Sequence, residues 1–279
     1  ALPSVPQCEE AYKTRCKQLG VLPSTRISDA LIHGSSKILL PHYGLGNSGL
    51  DALAIGISFN RGLRVLDLTA NVLSSASSIT LARSLLSRMT NENNLEILPH
   101  EMNDSSGHPL QPTLHVLNLN DNNIKSEGAM AIFGVASAMQ ELTTLKLSKN
   151  NINCSMLSSY TLSLSKNKNQ QEQKTTIETV PQETAVPHEH LRHRESIGQH
   201  GRSHLHRHSH HTEATLRQRS PICQSIETML ERHSSLTTLH LQNNKLGDSG
   251  ATSIGNAIVH NIVLKELQLN WNSIGPSGA

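Results

Sequence analysis

Histidine is the residue in this sequence best suited to chemistry, and it is unevenly placed. Of 17 histidines in 279 residues, nine lie between His188 and His211, in strings such as His204, His206, His208, His210 and His211. Imidazoles at alternate positions can hold zinc, copper or nickel weakly. The same tract can act as a pH-dependent polycation, gaining charge as pH falls through about 6.5. A third reading is a solvated low-complexity loop with no selected role, which the scarcity of apolar residues around it favours. No ordered metal site is expected, because nothing there fixes ligand number or geometry. The four cysteines, Cys8, Cys16, Cys154 and Cys223, show no C-x-x-C spacing. They read as small buried hydrophobes in a reducing compartment, ahead of a redox or metal role.

Catalytic motifs are missing. The sequence has no phosphate-binding glycine loop ending in Lys-Ser/Thr, no G-x-S-x-G and no H-E-x-x-H, so no enzyme activity and no cofactor is expected. His33, His42, His115, His240 and His260 are scattered and read as surface residues. The net charge of +2 shows no global bias toward nucleic acid or anionic membrane, and an aromatic content of 2% provides no base-stacking platform. No apolar run nears the length of a membrane helix and no secretory leader is present, so a soluble, cytoplasmic protein is expected.

What would position any functional residue is a repeat. Leu63, Leu66, Leu68, Asn71 and Leu73 recur as Leu114, Leu117, Leu119, Asn122 and Ile124. They recur as Leu142, Leu145, Leu147, Asn150 and Ile152, as Leu236, Leu239, Leu241, Asn244 and Leu246, and as Leu264, Leu267, Leu269, Asn272 and Ile274. A worn first copy carries Ile38, Leu40 and Leu45, with Tyr43 in the asparagine slot. Unit starts at Ser35, Leu63, Leu114, Leu142, Leu236 and Leu264 are separated by 28, 51, 28, 94 and 28 residues. The period is therefore 28, with insertions of 23 and 66 residues. L-x-L alternation predicts a short strand, and the apolar spacing of four after Gly49, Gly128 and Gly250 predicts a helix. Each asparagine is placed to bond the backbone of neighbouring turns.

These residues resemble the leucine-rich repeat of the long, ribonuclease-inhibitor-like class, over about residues 35 to 279 outside the insertions. The stretch Tyr12, Cys16, Gly20-Val21, Pro23-Ser24 and Gly44-Leu45-Gly46 is similar to leucine-rich repeat-containing protein 74 and its relatives. The expected fold is α/β, a curved solenoid with parallel strands on the concave face and helices on the convex face. Its parts are a helical cap over 1–34, repeats over 35–153 with a loop at about 90–112, a disordered His-rich insertion over 154–219, and repeats over 220–279 ending in a truncated unit. Leucine and isoleucine carry such a core, which accounts for the few aromatics.

The face away from the leucines is the expected partner site, with Asp67, Asn118, Lys146, His240 and Glu266 on the strands and Asp121, Lys149 and Trp271 at their ends. Trp271 has a second reading as a packing residue against a further unit, and the charged residues a second one as solubilising groups. The resemblance implies a non-enzymatic scaffold or adaptor for a protein partner of unknown identity. Two alternatives are a regulator of the Ran GTPase-activating type and the sensor tail of a NOD-like receptor.

Overall fold

The computed structural model describes residues 6–89, 114–155 and 220–279. The insertion at about 90–112 and the histidine tract lie outside the described residues. Those described belong to one compact unit.

Two helices come first, α1 (Pro6–Leu19) and α2 (Thr25–Ile32). Six three-residue strands follow: β1 (Lys37–Leu39), β2 (Val65–Asp67), β3 (Val116–Asn118), β4 (Thr144–Lys146), β5 (Thr238–His240) and β6 (Glu266–Gln268). Between them run α3 (Gly46–Phe59), α4 (Ser75–Ser87), α5 (Lys125–Ala136), α6 (Pro221–Arg232) and α7 (Gly247–Ile258). The strands form one open parallel sheet in sequence order, β1 to β6. Register holds across both insertions: Leu66 pairs with Leu117, and Leu145 with Leu239. This is the expected α/β solenoid. Parallel strands sit about 4.8 Å apart while packed helices need up to about 10 Å, so such a stack curves with its sheet inside.

The core is a continuous file of aliphatic side chains. Ile38, Leu66, Leu117, Leu145 and Leu239 point from successive strands into one cluster with Leu53, Ile57, Leu81, Ile132, Phe133, Ile226 and Ile254 from the helices. The period-two alternation of the strands leaves their flanking residues on the open face. Cys154, where the sequence places the start of the long insertion, is 2% exposed and belongs to this core.

The glycine in the first turn of α5 has a steric cause. A Cβ on Gly128 would stand 2.7 Å from Ile124 Cγ2 and 3.0 Å from Ser75 Cα, so α5 could not lie this close to α4.

The first unit is finished differently. Its asparagine slot holds Tyr43, whose hydroxyl meets Ser24 Oγ at 2.6 Å. The Ser24 amide donates to the Tyr12 hydroxyl, and Arg26 Nη2 donates to the Leu39 carbonyl at the open edge of β1. Helices α1 and α2 thus fasten to the first unit through polar groups as well as through buried Cys8, Tyr12 and Leu31.

Candidate interaction face

The asparagine row aligns everything else. Asn244 donates from Nδ2 to the Leu147 and Leu241 carbonyls at 3.0 and 2.9 Å. Its Oδ1 accepts from the Asn150 and Ile152 amides at 2.9 and 3.1 Å. Asn71, Asn122, Asn150 and Asn272 each donate to a carbonyl of the preceding unit in the same way. The residue before this slot turns the chain with positive φ in all six units: His42, Ala70, Asp121, Lys149, Asn243 and Trp271, at 52 to 61°. That turn projects one side chain per unit from the strand ends, as a row.

Inside this row lies the sheet's open face. Its central line is Leu39, Asp67, Asn118, Lys146, His240 and Gln268, one residue per strand in register. Six of the eight candidate residues make three neighbouring pairs, and Lys146 and Trp271 stand outside them. Asn118 Nδ2 donates to Asp67 Oδ2 at 3.1 Å, and Asp67 Oδ1 also accepts from the Thr69 amide and hydroxyl. Lys149 Nζ stands 3.8 Å from Asp121 Oδ2, with both side chains more than half exposed. His240 Nε2 meets Glu266 Oε1 at 2.9 Å, and Gln268 Nε2 donates to the same oxygen. Lys146 is half-buried and has no ion pair among the described residues. Trp271 stands apart, 76% exposed.

One line of the face is missing from the sequence-based site. Two positions beyond the central line stand Thr69, Asn120, Ser148, Gln242 and Asn270. Ser148 joins two of its neighbours, its amide donating to Asn120 Oδ1 at 2.8 Å and its hydroxyl to Gln242 Oε1 at 3.1 Å. The repeat frame contains the signal, since all five are hydroxyl or amide residues in one slot.

A second polar row, also unforeseen, runs three residues before the first leucine of each unit. Asn60 Nδ2 donates to the Ser35 carbonyl, while Asn261 Oδ1 accepts from the Val263 and Leu264 amides. His233 replaces asparagine there. It is 3% exposed, and its Nδ1 accepts from the Ser235 and Leu236 amides at 3.3 and 3.1 Å. Nδ1 must keep its lone pair, so the ring is neutral with its proton on Nε2. Burial pushes the His233 pKa down, against the opposing pull of the Met139 and Ala136 carbonyls. In unit 2 the slot, 25 residues after Leu63, holds Arg88, whose buried guanidinium donates to the Leu63 carbonyl at 3.1 Å. Burial, and then the like charge of Arg61, pull its pKa down to about 10.

No cation site is present among the described His, Cys, Asp and Glu residues. No described helix is long and apolar enough to cross a membrane. No curated protein matched the chain. The Leucine Rich repeat family model matches residues 111–133, 232–255 and 260–279. Those stretches contain β3, β5 and β6, so the chain carries leucine-rich repeats, stacked into a six-strand open sheet.

Proposed function

We propose that this chain is a non-enzymatic scaffold or adaptor that binds a partner protein across the open face of its sheet and the strand-end row. Leucine-rich repeats commonly mediate protein–protein interaction, and this face has the chemistry for it. One observation carries the reading: the fold delivers Trp271 to the solvent at 76% exposure, at the end of a row of side chains set in register. An exposed tryptophan offers apolar area and a single donor, the pattern of an interaction hot spot. Beside it, the hydroxyl and amide line offers hydrogen bonds, and Lys146 offers a charge that no described carboxylate neutralises.

The 28-residue period, with a helix of three turns or more after each of the first five strands, supports assignment to the ribonuclease-inhibitor-like class, and α1 with α2 to the role of an end cap. Four free, buried cysteines suit a reducing compartment such as the cytoplasm.

The test is affinity capture with wild type against a variant carrying Lys146→Glu, Lys149→Glu and Trp271→Ala. Loss of the captured proteins at an unchanged Tm supports the face. An identical captured set removes it.

A further inference from the structure

Two thiols meet at the root of the long insertion. Cys154 is the last but one described residue on the strand side of unit 4, and Cys223 is the third residue of α6, where the helix side resumes. Residues 155–222 separate them in sequence, yet their side chains are in hydrogen-bond contact. Both are buried, at 2% and 1% exposure. A Cβ on Gly250 would stand 3.0 Å from Cys154 Sγ, so Cys154 fills a space that glycine opens on α7. The Cys154 amide also donates to the Lys245 carbonyl, which anchors its backbone to the next unit.

We propose that Cys154 and Cys223 form a peroxide-oxidisable dithiol, whose disulfide covalently joins the strand and helix halves of unit 4 across the insertion. In the closed state the pair is quiet. Contact with Cys223 and then burial hold the Cys154 thiol protonated, and a protonated thiol is a poor nucleophile. Reaction therefore passes through fraying of the first turn of α6, the weakest-held part of a helix. The N-terminal dipole there favours negative charge on Cys223.

The chemistry balances with hydrogen peroxide as the oxidant. The Cys223 thiolate attacks one peroxide oxygen, giving a sulfenic acid and hydroxide, which takes up the proton lost by the thiol to become water. The Cys154 sulfur then attacks the sulfenic sulfur, the S–S bond forms, and a second water leaves. Two thiols lose two electrons in total, and one peroxide becomes two waters.

Cys8 and Cys16 are the internal control. Both are buried, but eight positions apart on α1 they lie about 12 Å apart along its axis, too far for a bridge. The test treats the full chain with peroxide, unfolds it, and counts alkylatable thiols with peptide mapping. Expected are two thiols lost, a single cross-linked peptide joining Cys154 to Cys223, and full recovery in dithiothreitol. The oxidised chain should also show a higher urea midpoint that dithiothreitol reverses and that Cys223→Ser lacks. Four free thiols after treatment, separate conversion of each cysteine to sulfinic acid, or a cross-link to Cys8 or Cys16 would each overturn the proposal.

Discussion

At the residue scale, the fold depends on asparagines that do no chemistry. Asn244 satisfies two carbonyls and two amides that the short strands leave unpaired. Leucine at this position keeps the volume but strands those groups, so Asn244→Leu should cost about 3 kcal/mol in urea unfolding. A loss under about 0.5 kcal/mol would mean that the row is not structural. His233 gives a pH signature. Its folded-state pKa is lowered, so the unfolded chain binds the extra proton, and stability rises with pH. The contribution is complete above the unfolded-state value of about 6.5, declines below it, and is gone once pH has fallen through the lowered folded-state value. His233→Asn copies the acceptor of Asn261 without the titration, and should flatten the pH dependence of the urea midpoint between about pH 7 and pH 5. An unchanged slope would assign the pH dependence to other groups.

At the scale of elements, sequence and structure agree where residue type is constant and part where it varies. The strand centres were legible because Leu66, Leu117, Leu145 and Leu239 all need the same buried environment. The helix-start glycines were legible too, as turn residues; that Gly128 is needed for approach of α4 emerges only from the packing. Gly128→Ala should therefore cost about 1–3 kcal/mol despite alanine's higher helix propensity. A more stable variant would show that α4 and α5 adjust freely. The second polar row is not legible in the sequence, because Asn60, Arg88, His233 and Asn261 bond the backbone there with three different residue types. Periodic searching finds letters, not hydrogen-bond roles. Alternation gives the five strand candidates and the strand ends give Asp121, Lys149 and Trp271, whereas the pairing of Asp67 with Asn118 and His240 with Glu266 requires the strand register.

At the scale of the whole molecule, the described repeats are a one-dimensional stack whose core is long and thin. Each unit touches its neighbours, so the two insertions leave the register of β2 with β3 and of β4 with β5 undisturbed. Trp271 tests whether the face is shaped for binding or for folding. At φ 61° it occupies the left-handed region, which a bulky side chain enters at a cost of about 1 kcal/mol. Trp271→Asn relieves that strain, so stability should hold or rise by about 0.5–1 kcal/mol while partner affinity falls. Loss of stability instead would make Trp271 a packing residue.

The central claim is that partners meet the open sheet face rather than the helices. Site-specific photo-crosslinking tests it most directly, with the reactive group placed at position 146 on the sheet or at the exposed position 83 on α4. We expect a cross-linked protein partner from position 146 and none from position 83. Cross-linking from position 83 alone would contradict the account and move the binding surface to the helical side.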